Sequence, residues 1–155
     1  MKQSIFISGL FILFSFTQMQ AQQSPCSLDT KTLFTGEYGT QFNESYEAYK
    51  ADTEKLKNLQ TKGVSIIAVL GLWCEDSQRE IPRLMRILET ENLKNIPVNY
   101  YLVDTDKKCA DPDVQSLNVQ YVPALIFYRD GVEIGRIIEK PETSLEADIA
   151  KLLGN

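Results

Sequence analysis

Apolar residues follow two patterns along the chain: short continuous runs, and positions spaced three and four apart. Together the two patterns predict strands separated by helices. Residues 64–72 are nearly all apolar, which is typical of a central strand covered on both faces. Residues 98–103 form a second predicted strand. Residues 124–128 and 133–138 flank Arg129-Asp130-Gly131, a tight-turn sequence, and are therefore predicted to form a hairpin.

Apolar residues spaced three and four apart predict the helices. The first begins at Asn43, which can cap it, and ends at Gly63. Its apolar face comprises Tyr46, Tyr49, Leu56 and Leu59. The second begins near Asp76 and should be bent by Pro82. Its buried side comprises Ile81, Leu84, Met85 and Leu88.

The remaining helices complete an α/β arrangement over residues 42–155. A short helix is predicted at 113–117, and Thr143 with Glu146 forms a capping box for a last helix through Leu153. The alternation of strands and helices implies a parallel crossover, and the hairpin implies an antiparallel edge. We therefore expect a central mixed sheet flanked by helices, with a C-terminal antiparallel hairpin.

The residues before this domain have the layout of a secretory signal peptide. Lys2 is followed by an apolar stretch at 5–16 and by Met19-Gln20-Ala21, a small-residue cleavage site. The alternative, a membrane anchor, needs about 20 apolar residues, more than this stretch supplies. We expect residues 1–21 to be removed, residues 22–41 to form a leader, and the mature protein to be periplasmic or extracellular and free of the membrane.

Composition excludes several classes of function. The net charge of −5 argues against nucleic acid or an anionic membrane as a partner. The chain has no histidine, which excludes Ser-His and Cys-His catalysis and histidine metal sites. Its three cysteines form no C-x-x-C pair, so no metal or other cofactor is expected. Their odd number leaves at least one thiol unpaired or shared with another chain.

Cys74 has the best placement for chemistry. It lies where the apolar strand ends and a helix begins, so it is partly exposed and faces the positive end of the helix dipole, which favours a thiolate. The next two residues, Glu75 and Asp76, oppose that charge. Ser77 stands where a C-x-x-C pair would have its second cysteine, which makes the motif C-x-x-S.

Four features in order resemble the thioredoxin family over about residues 43–153, and in particular secreted thioredoxin-like proteins of bacteria. They are Trp73-Cys74 at the strand–helix junction, Pro82 in the following helix, Val122-Pro123, and the turn at 129–131. The resemblance implies a thioredoxin-like fold, a nucleophilic Cys74, and a cis-proline loop at Val122-Pro123. It further implies that a substrate backbone pairs beside Val122 and that Trp73 lines the substrate groove.

Two departures from the family concern the resolving step. Ser77 replaces the resolving cysteine, and Ala68 stands where the family usually has a buried aspartate that moves protons to that cysteine. A monothiol site can attack a disulfide, but an external thiol must release the mixed disulfide that forms. The expected activity is reduction or isomerisation of mixed disulfides through Cys74, with Ser77 as a hydrogen-bond donor to the thiolate.

The expected partners are protein thiols or disulfides, or a small thiol such as glutathione. Cys109 is expected either to pair with Cys26, to resolve Cys74, or to remain a buried free thiol. The alternative function is a redox-inactive, chaperone-like module that binds peptides in the cis-proline groove. The sequence leaves the oligomeric state and the electron donor open.

Overall fold

The computed structural model describes residues 26–154, so the signal peptide expected at 1–21 and the start of the leader lie outside the described residues. A 3₁₀ helix at Thr30–Phe34 precedes the main elements, which are α1 Gly39–Ala48, β1 Val64–Leu70, α2 Glu75–Leu88, β2 Val98–Leu102, α3 Pro112–Ser116, β3 Ala124–Arg129, β4 Val132–Ile138 and α4 Leu145–Leu153. Within the described part of the chain, no helix is long and apolar enough to cross a membrane.

The four strands form one mixed sheet in the order β2-β1-β3-β4. β1 pairs with β2 in parallel and with β3 in antiparallel orientation, and β3 and β4 form the hairpin. This confirms the α/β fold expected from the sequence. Because β1 is central, its residues are buried on both faces, which explains its nearly continuous apolar sequence.

The core lies on both sides of the sheet. The larger cluster includes Phe42, Ile66, Leu84 and Phe127 and packs the sheet against the helices. The smaller cluster comprises Val69, Val103, Val114, Val122, Ala124 and Ile126. Since side chains alternate along a strand, neighbouring residues of β1 face different clusters. The smaller cluster matters for function because Cys74 and Cys109 both pack against it.

The N-terminal segment covers the free edge of β2. Leu102 N donates to Cys26 O at 2.9 Å, Leu28 N donates to Tyr100 O at 2.9 Å, and Ser27 pairs with Tyr101. A disulfide joins Cys26 to Cys109 beyond the end of β2. Edge strands are prone to unwanted pairing, so this coverage protects the sheet. The residues that follow also join the core, where Leu33 is fully buried.

The first helix differs from its predicted bounds. It begins at Gly39, not Asn43, and ends at Ala48, not Gly63. Asn43 is inside the helix, where its amide donates to Gly39 O at 2.7 Å and to Phe34 O at 3.0 Å. Leu56 is buried from a turn rather than from a helix, and Leu59 is also outside α1.

Two further details of the helices differ from the sequence pattern. In α2, which continues through Pro82, Ile81 and Leu84 are fully buried as expected, but Ile87 is buried in place of Met85 and Leu88, which are half-buried. The cap of α4 is Ser144, not Thr143: Ser144 Oγ accepts from Ala147 N at 3.2 Å. The predicted capping box is therefore wrong.

Glu146 anchors the start of α4 to the segment after α1. Its Oε1 accepts from Tyr49 Oη at 2.8 Å and from Asp52 N at 3.0 Å. Burial alone would raise the pKa of Glu146, but the hydrogen bonds from Asp52 N and other donors outweigh it and lower that pKa. Burial, followed by the bond to Glu146, raises the pKa of Tyr49. The pair therefore favours an ionised Glu146 beside a neutral Tyr49.

Candidate active site

Strand pairing brings the two halves of the site together. Val69 near the end of β1 pairs with Ala124 at the start of β3, because the two strands are antiparallel. The loop that follows β1 and the loop that precedes β3 therefore meet at one edge of the sheet. Cys74 lies in the first loop, as the cap residue of α2, and the Val122–Pro123 peptide bond in the second is cis.

The Cys74 sulfur contacts the cis-proline loop directly. Cys74 Sγ donates a hydrogen bond to Val122 O at 3.1 Å. The side chain is half-buried, and Cys74 is the free cysteine of the described chain. Gln78 N donates to Cys74 O at 3.0 Å, so the cysteine begins the first turn of α2 and lies at its positive end. A reactive thiol needs this combination of access and positive potential.

Ser77 is not a hydrogen-bond partner of the Cys74 sulfur in the described structure. It is fully buried, and its Oγ accepts from Gly71 N at 3.4 Å. Its role here is to close the turn between β1 and α2, together with Gln78, whose amide donates to Leu72 O at 2.7 Å. Accepting from Gly71 leaves the Ser77 O–H free to donate, but the described structure has no hydrogen bond between it and the Cys74 sulfur.

Trp73 lies over the backbone of the same loop. A Cβ added at Gly71 would lie 2.7 Å from atoms of the Trp73 ring, so only glycine allows this close approach. The ring is 36% exposed, and Lys107 Nζ lies 5.7 Å from its centroid. Cations at this range are attracted to the face of an indole ring.

Tyr121 and Lys107 are site residues that the sequence analysis missed. Tyr121 is 59% exposed and directly precedes Val122, whose carbonyl holds the Cys74 sulfur. The exposed aromatic residues Trp73 and Tyr121 therefore stand next to the two partners of that hydrogen bond. The sequence could have indicated Tyr121, because this residue directly precedes the Val122-Pro123 motif. No sequence pattern indicated Lys107, because only the fold of the loop after β2 brings it to Trp73.

The acidic pair after Cys74 is partly neutralised. Arg79 bridges Asp76, with 2.5 Å between Nη2 and Oδ1, and the buried Glu80, with 2.6 Å between Nε and Oε1. Glu80 also accepts from Arg83 Nη1 at 3.1 Å. Glu75 is exposed, where solvent screens its charge. These carboxylates therefore disfavour a negative charge on Cys74 less than the sequence suggests.

The other cysteines and Ala68 supply the site with neither a second free thiol nor a buried carboxylate. Cys26 and Cys109 are joined to each other, which corresponds to the structural pairing among the expected alternatives. Ala68 is fully buried in the middle of β1, within the larger core cluster. Among residues 26–154, no group of three or more histidine, cysteine or carboxylate side chains is placed to hold a metal ion.

Comparison with known proteins agrees with this architecture. A family model described as thioredoxin matches residues 28–151. A solved protein of unknown function from Pseudomonas aeruginosa has a TM-score of 0.50 and 16% identity, over 77% of this chain and 81% of that chain. Trxlp from Edwardsiella tarda has a TM-score of 0.48 and 20% identity, over 68% of this chain and 96% of that chain.

A plant structure is also similar. Thioredoxin O2 from Arabidopsis thaliana has a TM-score of 0.44 and 23% identity, over 74% of this chain and 88% of that chain. No curated protein matches the sequence significantly. The family match extends over most of the chain and includes both loops that form the site.

Proposed function

Because this chain belongs to the thioredoxin family, we propose that it is an exported monothiol thiol–disulfide exchange protein with Cys74 as its nucleophile. Family membership supports thiol–disulfide oxidoreductase chemistry on protein thiols or disulfides in general terms. The observation that carries the monothiol form is the state of the cysteines: Cys74 is free at the start of α2, Ser77 replaces its usual partner, and Cys26 and Cys109 are already joined.

The proposed reaction has two exchanges. The Cys74 thiolate attacks one sulfur of a substrate disulfide, forms a mixed disulfide, and releases the other sulfur as a thiolate that takes up a proton. An external thiol then attacks the substrate sulfur of that mixed disulfide, and Cys74 leaves as a thiolate. Electrons balance, because each step breaks one S–S bond and forms one. The external thiol is the reductant, or, in isomerisation, a second thiol of the substrate.

The surrounding residues support this reaction in distinct ways. The carbonyl of Val122 accepts the S–H of Cys74, so loss of that proton also removes this bond and leaves the sulfur open to substrate. Pro123 has no N–H and holds the loop whose exposed neighbour, Tyr121, offers an aromatic contact. Trp73 offers a second contact on the side of the thiol. Ser77 holds the turn that presents Cys74.

A Cys74→Ser substitution tests the proposal. Glutathione-dependent reduction of a mixed-disulfide peptide should fall to the uncatalysed rate, while the circular dichroism spectrum stays that of the folded protein. Undiminished exchange in this variant would refute the proposal.

Export is proposed on two grounds, the layout of residues 1–21 and the Cys26–Cys109 bond, since such bonds persist in oxidising compartments. The test is the N-terminal sequence of the protein purified from cell fractions. It should begin near Gln22 in an extracytoplasmic fraction. An intact N-terminus in the cytoplasmic fraction would contradict export.

A redox-inactive peptide-binding module is the second candidate function, and the exposed Trp73 and Tyr121 favour it. A binder needs the groove but not the thiol. Peptide binding by a Cys74→Ala variant separates the two. Undiminished binding together with no exchange by the parent protein would establish the binder, whereas exchange by the parent protein would exclude a redox-inactive role.

A further inference from the structure

A polar cavity of about 300 Å³ opens between α3 and the ends of the parallel strands β1 and β2. Its apolar floor is formed by Val69 and Val103, at the ends of these strands, and by Val114 of α3. Its rim is polar and includes Lys107, Lys108 and Gln115. This volume is at the lower end of the range for small-molecule sites, which favours a small ligand over a folded protein segment.

The charge of the rim differs from that of the whole protein. The chain carries a net charge of −5, yet the cavity is lined by two lysines and a single carboxylate, Asp106. Within residues 26–154, neither Lys107 nor Lys108 forms an ion pair. Two unpaired cations beside amide groups suit an anionic ligand that also has peptide groups.

The loop that carries the lysines is held in place. Asp104 Oδ1 accepts from Asp106 N and from Lys108 N, both at 2.9 Å. Cys109 follows directly and is tied to Cys26. Gln115 of α3 donates to Cys109 O at 3.4 Å and closes the other wall. The lysines therefore project from a fixed turn, which reduces the entropy lost on binding.

Two contacts link the cavity to the segment that carries the thiol. Lys107 lines the cavity and its Nζ lies over the ring of Trp73, the residue before Cys74. The valines of the floor belong to the same apolar cluster that packs against Cys74. A ligand bound by Lys107 would therefore lie near Trp73, and the cavity also reaches Val119 and Gln120, which lead into Tyr121.

We propose that this cavity binds the external thiol, a small anionic peptide thiol whose carboxylates pair with Lys107 and Lys108. The inference rests on the proposed monothiol exchange, which requires such a thiol. The bound thiolate attacks the substrate sulfur of the mixed disulfide on Cys74. The S–S bond to Cys74 breaks, a new bond joins the substrate to the small thiol, and Cys74 departs as a thiolate that is then protonated.

Transfer of a peptide from Cys74 to the small thiol tests this directly. Cys74 is converted to a mixed disulfide with a cysteine-containing peptide, and the appearance of free Cys74 and of the peptide–thiol disulfide is followed by mass spectrometry against thiol concentration. Three thiols are compared: reduced glutathione, its diethyl ester without free carboxylates, and uncharged 2-mercaptoethanol. The test variant is Lys107→Gln/Lys108→Gln. The control, matched in charge, is Lys50→Gln/Lys62→Gln, two exposed lysines away from the cavity.

The expected result is a rate that saturates with glutathione and falls about fivefold or more in the test variant, since two ion pairs of about 0.5–1 kcal/mol each are lost. The rates with the cationic ester and with uncharged 2-mercaptoethanol should not show this fall, and all rates in the control should be unchanged. Equal effects of both double substitutions, or no preference for glutathione over its ester, would overturn the inference alone. Failure of every thiol to free Cys74 from the peptide would overturn the proposed exchange, and this inference with it.

Discussion

The Cys26–Cys109 disulfide should be a major source of stability. It joins residues 83 positions apart, so it strongly restricts the unfolded chain. The chain-entropy relation gives about 4.5 kcal/mol for a loop of this length, and measured contributions are typically about 2–4 kcal/mol. The total free energy of unfolding of a domain of this size is about 5–15 kcal/mol. Removing the bond should therefore cost about 2–4.5 kcal/mol, a large part of the stability.

Urea unfolding followed by circular dichroism measures this loss. The variant is Cys26→Ser/Cys109→Ser, compared with its parent in a Cys74→Ser background so that no free thiol can exchange with the bond. Adding a reductant to the parent should reproduce the loss, and adding it to the variant should change nothing. A loss below about 1 kcal/mol would refute the reasoning, because it would mean that the closed loop barely restricts the unfolded chain.

The same disulfide variant, now with Cys74 intact, decides whether Cys109 also resolves Cys74. If an external thiol performs the resolving step, the variant should release a mixed disulfide from Cys74 to 2-mercaptoethanol, which does not need the lysine loop, as fast as the parent does, at a temperature where both are folded. Slower release would show that Cys109 takes part in the reaction.

Four further substitutions test the structure of the fold and of the site. Tyr49→Phe should cost about 1–2 kcal/mol in urea unfolding, because it removes a hydrogen bond to a buried carboxylate; no loss would contradict that bond. Since the folded-state pKa of Glu146 is lowered, its ionised form stabilises the fold above its usual pKa of 4.5, and this is lost as pH falls through the lower folded value. Glu146→Gln should therefore flatten the acid limb of the stability curve, and an unchanged limb would disprove this. Ser77→Cys should gain the ability to reduce insulin as a dithiol, whereas Ser77→Ala should not. An inactive Ser77→Cys would contradict the assignment of position 77 as the place of the resolving cysteine. Gly71→Ala should displace the Trp73 ring and shift its fluorescence, and an unchanged spectrum would exclude the close contact.

The sequence predicted the sheet well because its information is local. The apolar stretch before Cys74 and the Asp130-Gly131 turn each determine their own structure. The first helix was placed wrongly because Leu56 and Leu59 continue the helical spacing of Tyr46 and Tyr49. The chain leaves the helix in part because Asp52 N binds Glu146, which is 94 positions away in the sequence. No local pattern contains that contact.

The candidate site was also predictable only in part. Trp73, Cys74, Val122 and Pro123 were found from motifs, and antiparallel pairing of β1 and β3 brings them together. The role of Ser77 could not be read from its spacing, because the hydrogen bond that its Oγ accepts from Gly71 N forms only in the folded turn. Pairing of Cys26 with Cys109 depends on where the N-terminal segment lies along β2.

The most direct test of the account is peptide mapping of the purified protein after exposure to oxidised glutathione, under non-reducing conditions. Monothiol exchange predicts one glutathione adduct, at Cys74, with the Cys26–Cys109 bond intact, and complete removal of that adduct by reduced glutathione. Absence of an adduct at Cys74, or a bond between Cys74 and Cys109, would contradict the account.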